Sequence, residues 1–142
     1  MGIKILIVDD MLPARAFIRG SIKAYISKDI ETDEANSGEA AKAKLETHKY
    51  DLVLCDWNMP GMKGSELLEW IKSQDNLKDI PFIMVTAHNE KEIIMDAIKL
   101  GVKDFLIKPI TADDLSKKVR AVLSEVLTRK KKEEEGGEQK PA

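Results

Sequence analysis

Along the chain, short runs of apolar residues alternate with longer stretches in which apolar positions recur at helical spacing. The short runs are Ile3 to Val8, Ile30 to Ala35, Leu52 to Cys55, Pro81 to Val85 and Phe105 to Ile107, and they predict five strands. All but the second are nearly continuous in apolar residues, as strands need to be when helices cover both faces of a parallel sheet. The second alternates with polar residues and is expected at an edge. Between the runs, Ile18, Ile22 and Ile26 mark one face of a first helix, and Ala41 with Leu45 mark a second, opened by Ser37 as N-cap. Ser65 is expected to open a third, carrying Leu67, Leu68 and Ile71. A fourth carries Ile93, Ile94, Ala97 and Ile98 and stops at Gly101, a C-cap glycine. Thr111 and Asp114 form a capping box before the stripe Leu115, Val119, Val122 and Val126 of a fifth. The pattern predicts an α/β domain with a doubly wound, five-stranded parallel sheet and five helices on its two faces.

Composition narrows this picture. The 142 residues are enough for one core and carry a net charge of -2 from 23 basic and 25 acidic side chains, which argues against a nucleic-acid partner. No apolar run reaches the length of a membrane span, and the N-terminal residues lack the design of a secretory signal. A single cysteine, Cys55, cannot form an internal disulfide; as a buried apolar residue in a reducing compartment it points to the cytoplasm. The domain is expected over residues 1–127. From Thr128 a basic block, Arg129 to Lys132, meets an acidic block, Glu133 to Glu135, so residues 128–142 are expected to form a charged, disordered tail.

The chemistry collects where the strands end. Residues just after parallel strands share one edge of the sheet, where ligands bind in open α/β folds. After the first strand come Asp9 and Asp10; after the third, Asp56; after the fourth, Thr86; after the fifth, Lys108. An aspartate after a strand is by itself usually a turn former or cap. Three carboxylates at one edge repel one another, and a hard divalent cation with oxygen ligands, Mg²⁺ above all, relieves that repulsion. Zinc is disfavoured, because His48 and His88 show no ligand spacing with Cys55. Lys108 supplies a positive charge and Thr86 a hydroxyl, so an anion rich in oxygen can be held against Asp56. Phosphoryl fits, with Asp56 as the acceptor in a transfer that needs positioning and charge neutralisation. No phosphate-binding glycine loop, dinucleotide fingerprint or serine or cysteine triad accompanies it.

With Asp9-Asp10, Asp56, Thr86-Ala87 and Lys108-Pro109 all in place, the chain resembles the response-regulator receiver domains of two-component signalling over Ile3 to about Leu127. The segment Asp56-Trp57-Asn58-Met59-Pro60-Gly61 is especially similar to the stand-alone chemotaxis type. The resemblance implies the flavodoxin-like strand order 2-1-3-4-5. It implies Mg²⁺ bound by Asp10, Asp56 and the carbonyl of Asn58, with Asp9 acting through water. It implies phosphorylation of Asp56 by a sensor histidine kinase and output from a monomer to a protein target, such as the flagellar motor switch, with a phosphatase as a further partner. Ile94, Phe105 and Lys118 lie where such targets dock, on the face of helix four, strand five and helix five. Met11 and Phe105 depart from residues common in the chemotaxis type, Asn58 and His88 occupy positions that tune phosphoryl loss, and Pro109 follows a bond that is cis in the family. So short a segment after the last helix cannot encode a DNA-binding domain, so output is expected in trans. Two other readings accompany this one: a phosphorelay intermediate, and a metal-dependent phosphatase or phosphotransferase with an aspartate nucleophile.

Overall fold

The computed structural model describes residues 2–139. Strands β1 (Lys4–Val8), β2 (Glu31–Ala35), β3 (Leu52–Asp56), β4 (Phe82–Thr86) and β5 (Asp104–Ile107) form a parallel sheet in the order β2-β1-β3-β4-β5. Helices α1 (Leu12–Tyr25), α2 (Gly38–Thr47), α3 (Gly64–Ser73), α4 (Lys91–Leu100) and α5 (Ala112–Gln139) connect and follow them. Side chains alternate across a strand, so the two faces of the sheet feed two cores. Ile5 and Ile7 pack with Ile18 and Ile22 of α1 and with Leu115, Val119, Val122 and Val126 of α5. Leu6 and Val8 pack with Ala41 and Leu45 of α2 and with Leu67, Leu68 and Ile71 of α3. Each buried Ile, Leu or Val among them contributes roughly 1.5–3 kcal/mol. The fold class and strand order are those the pattern and the resemblance predicted, with the polar β2 at the edge.

Several caps stand as read from the sequence. Ser37 Oγ accepts from Ala40 N at 3.0 Å, Thr111 Oγ1 accepts from Asp114 N at 3.1 Å, and Gly101 ends α4 at φ 108°. The Lys108–Pro109 bond is cis, as the resemblance implied.

Four features differ. β3 and β4 run one residue further than expected, so Asp56 and Thr86 are strand residues rather than loop residues. α3 opens with Lys63 as N-cap, not Ser65, because Gly64 packs directly on the preceding loop; Gly64 N donates to Trp57 O at 3.1 Å. In α4 only Ala97 is fully buried, Ile93 and Ile94 are half-buried and Ile98 is 55% exposed, so the predicted apolar face is only partly covered. The largest difference is at the C-terminus. Residues 128–139 continue α5 instead of forming a disordered tail. Their lysines and glutamates are good helix formers with no breaker before Gly136. Lys130 ties the helix to the segments that lead into β3 and β1, its Nζ 2.8 Å from Asp51 Oδ1 and 3.3 Å from the carbonyl of Gly2. Residues 140–142 of the expected tail lie outside the described residues. No helix among the described residues is long and apolar enough to cross a membrane.

The edge strand is held by a polar cluster. Tyr50 Oη donates to Asp33 Oδ2 at 2.5 Å, and Lys44 Nζ lies 2.7 Å from Asp33 Oδ1. Burial pulls the Asp33 pKa up, but Lys44, Tyr50 and the N–H of Glu34 outweigh it and hold the carboxyl at about 2. Burial and the Asp33 charge together push the Tyr50 phenol well above its ordinary value. A depressed carboxyl stabilises the fold above its unfolded pKa, near 4, and loses that contribution as pH falls through about 2. Tyr50→Phe is expected to move the Asp33 pKa upward and to cost about 1 kcal/mol at neutral pH. An NMR titration of the Asp33 carboxyl carbon and urea unfolding at pH 7 check both; an unmoved Asp33 pKa contradicts the coupling.

Candidate functional site

The order β1-β3-β4-β5 sets the carboxyl ends of four strands side by side. Asp9 and Asp10 follow β1, Asp56 closes β3, Thr86 closes β4 and Lys108 follows β5, so the five residues singled out in the sequence meet at one edge. Asp9, Asp10 and Asp56 each offer a carboxylate oxygen within 4.8 Å of the others. Asp9 is 1% exposed and Asp56 5%, whereas Asp10 is exposed at the rim. Lys108 reaches across from β5, its Nζ 3.2 Å from Asp9 Oδ2 and 3.5 Å from Asp56 Oδ2. His48 and His88 are both exposed and neither joins the cluster, so the donor set is all oxygen and suits a hard cation.

Asp9 is fixed on several sides. Its backbone N–H donates to Ala35 O at 3.1 Å, its Oδ1 accepts from Met11 N at 2.8 Å, and its carbonyl accepts from Arg15 Nη1 at 2.7 Å. Asp56 Oδ1 accepts a 3.3 Å bond from Asn58 N, the residue whose carbonyl the resemblance assigns to the cation. Thr86 is fully buried, and its Oγ1 accepts from His88 N at 3.0 Å, which leaves the hydroxyl proton to be donated elsewhere.

Electrostatics follow from this crowding. Burial raises the Asp56 pKa; Lys108 pulls it back, Asp9 pushes it up again, and the balance stays raised. Burial lowers the Lys108 pKa, but Asp56 and Asp9 more than compensate and leave it raised. Cys55 lies beneath, fully buried, and burial followed by the charges of Asp56 and Asp9 drives its thiol well above its ordinary value. It is therefore an apolar filler rather than a nucleophile.

The loop after Asp56 is tightly enclosed. A Cβ on Gly64 would lie 2.6 Å from Asp56 O and 2.9 Å from Trp57 Cα. Gly61 takes φ 75°, and Glu39 of α2 accepts from Met62 N at 2.8 Å. Arg15 and Glu39 were not singled out in the sequence, where each looks like an ordinary charged residue on an amphipathic helix. The three residues predicted for a docking face fall together around α4, β5 and α5. Ile94 and Phe105 are half-buried, and Lys118 Nζ sits 4.4 Å above the Phe105 ring and donates to the Phe105 carbonyl.

Comparison with known proteins agrees with this geometry. Residues 5–120 match the response regulator receiver domain. The chain is 37% identical over 118 residues to the chemotaxis protein CheY-3 of Vibrio cholerae, covering 83% of this chain and 89% of that protein. It is 36% identical over 123 residues to the chemotaxis protein CheY of Pseudomonas aeruginosa, covering 87% and 98%. Among solved structures, the chemotaxis response regulator CheY4 of Vibrio cholerae superposes with a TM-score of 0.79 at 27% identity, over 86% of this chain and 99% of that one. The signal receiver domain of a signal transduction histidine kinase from Syntrophus aciditrophicus does so with a TM-score of 0.77 at 28% identity, over 87% and 91%.

The competing influences on Asp56 can be separated by substitution. Lys108→Met removes the attractive charge and is expected to raise the Asp56 pKa further; Asp9→Asn removes the repulsive one and is expected to lower it. Carboxyl-carbon NMR titrations without divalent cations read both, and shifts of the same sign in the two variants would contradict the assignment.

Proposed function

The chain belongs to the response regulator receiver family, and from that premise we propose that it is a switch phosphorylated on Asp56 by a histidine kinase with Mg²⁺. The observation that carries the reading is a nearly buried Asp56 carboxylate facing Lys108 at 3.5 Å, within 4.8 Å of the carboxylates of Asp9 and Asp10. Asp9, Asp10 and Asp56, with the carbonyl of Asn58, are the groups that would hold Mg²⁺, whose contribution is to neutralise charge on the phosphoryl oxygens. One Asp56 oxygen attacks the phosphorus of a phosphohistidine; the P–N bond breaks, its electron pair leaves with the imidazole, and an aspartyl phosphate remains. The Lys108 ammonium and the Thr86 hydroxyl bind the transferred oxygens, and the near burial of Asp56 limits water around the acyl phosphate. Each is a positioning or electrostatic role, which suits a transfer whose transition state is loose and highly charged.

The output follows from the same reading. A downstream protein, the flagellar motor switch being the candidate drawn from the chemotaxis relatives, reads the α4, β5 and α5 face through Ile94, Phe105 and Lys118, and a phosphatase resets the site. The protein acts as a monomer in the cytoplasm, and the phosphoryl group turns over on its own aspartate rather than on external substrates. A phosphorelay role is the second reading, supported by the likeness to a receiver domain that belongs to a histidine kinase. It differs in passing the phosphoryl group onward to another histidine.

Acetyl phosphate or beryllofluoride with Mg²⁺ is expected to add one group to the wild type, seen by intact mass, and to change Trp57 fluorescence in a Trp70→Phe background. Asp56→Asn is expected to remain unmodified. A wild type without adduct, or an Asp56→Asn variant that responds equally, overturns the assignment. Mg²⁺ alone is expected to raise the melting temperature. The raised Asp56 carboxyl contributes stability that is full below its unfolded pKa and is lost as pH rises through its folded pKa, where the carboxylate forms, so the gain from the cation should be larger at pH 7 than at pH 4.

A further inference from the structure

The acidic cluster is supported from behind by a residue outside it. Arg15, on the second turn of α1, is only 14% exposed although it carries a charge. Its Nη1 donates to the Asp9 carbonyl at 2.7 Å, and its Nε donates to Glu34 Oε1 at 3.0 Å. Glu34 lies on the edge strand β2 and also bonds Arg19, so its carboxylate is held between two guanidinium groups. The carbonyl that Arg15 grips belongs to the peptide joining Asp9 to Asp10. Rotation of that peptide would swing Asp10 relative to Asp9, whose own side chain is fixed by Met11 N at 2.8 Å and Lys108 at 3.2 Å. Asp10 is exposed at the rim, and the backbone that carries it sets where its side chain starts.

Resting on the cation-dependent reading above, we propose that Arg15 is a positioning residue for the cation site: it locks the Asp9–Asp10 peptide so that Asp10 faces the other two carboxylates. The fork of a guanidinium matters for this. One edge binds a carbonyl on the β1–α1 loop while another donor binds a carboxylate on β2, a bridge that an ammonium on a flexible stem does not hold in a fixed plane. Outer groups that orient ligands in this way typically affect metal affinity by about 10–100-fold when removed.

The sign of the effect separates positioning from simple electrostatics. Arg15 is a positive charge near a cation site, so if charge were its only influence, Arg15→Met would tighten Mg²⁺ binding and Arg15→Lys would leave it unchanged. As a positioning residue, both variants are expected to weaken Mg²⁺ binding by about tenfold or more. The measurement is a Mg²⁺ titration of Trp57 fluorescence in the full chain carrying Trp70→Phe, paired with cation-free urea unfolding. Weakened affinity in both variants, with Arg15→Lys still cooperatively folded and within about twofold of the wild-type cation-free folding equilibrium constant, supports the assignment. Tighter binding in Arg15→Met, unchanged affinity in Arg15→Lys, or a loss that merely tracks global unfolding overturns it. A wild type that binds no Mg²⁺ would instead remove the reading on which the proposal rests, so the two failures are distinct.

Discussion

Everything at the carboxyl edge of the sheet depends on the repulsion among Asp9, Asp10 and Asp56 and on its partial relief by Lys108. Three carboxylates against one ammonium leave a formal excess of two negative charges, which is the charge of one divalent cation. The cluster does not stabilise the fold; its raised Asp56 carboxyl marks the opposite. It is tolerated because the sheet beneath it is apolar and continuous, with Ile5, Leu6, Ile7, Leu52, Val53 and Leu54 fully buried. Each of these contributes on the scale of kilocalories, so the two cores can support a charged end that alone would spread apart.

The two sides of the site are built differently. Toward α2 and α3, the loop after Asp56 is confined by Gly64 against the Trp57 backbone, by Gly61 at positive φ and by Glu39 on the amide of Met62. Toward α4, the contacts are lighter: Thr86 meets the amide of His88, and α4 fully buries only Ala97. An element with so little buried apolar surface shifts at smaller cost than one anchored by Leu67, Leu68 and Ile71. The acidic end is thus held rigid on one side, and compliance is concentrated on the side where Ile94, Phe105 and Lys118 lie.

The strands and the five residues at their ends were legible because apolar runs and strand-end polar residues are local signals that parallel topology converts into one place. Ser37, Gly101 and Thr111 were legible for the same reason, since each cap acts within one turn. What local pattern could not give was tertiary approach. Gly64 starts α3 because a neighbouring backbone leaves no room for a side chain, and nothing in Lys63-Gly64-Ser65 announces it. Ile98 fits the helical period yet is left 55% exposed. The basic and acidic blocks after Thr128 read as a solvated tail because their composition is that of a disordered segment, whereas their propensity is helical and Lys130 finds Asp51 across 79 positions of sequence. Arg15 and Glu39 were invisible as functional neighbours, since a charged residue on a helix gives no hint of the loop it will reach.

Lys108 also explains how an event at Asp56 could be felt at β5. Its ammonium contacts both buried aspartates, while its backbone N–H donates to the carbonyl of Thr86 at 2.8 Å, joining the ends of β4 and β5. The register pairs Met84 with Phe105 and Thr86 with Ile107, so Phe105 lies two residues back along the same pair of strands. A phosphoryl group on Asp56 would compete for the Lys108 ammonium and draw on the unused hydroxyl proton of Thr86. Thr86 ends β4 and Lys108 follows β5 while bonding the Thr86 carbonyl, so both adjoin a hydrogen-bonded ladder. At the far side of that ladder the Lys118 ammonium sits over the Phe105 ring and against Asp104, linking β5 to α5. A contiguous set of contacts thus runs from the two buried aspartates through Lys108 and the β4–β5 ladder to the half-buried Phe105 on the edge strand.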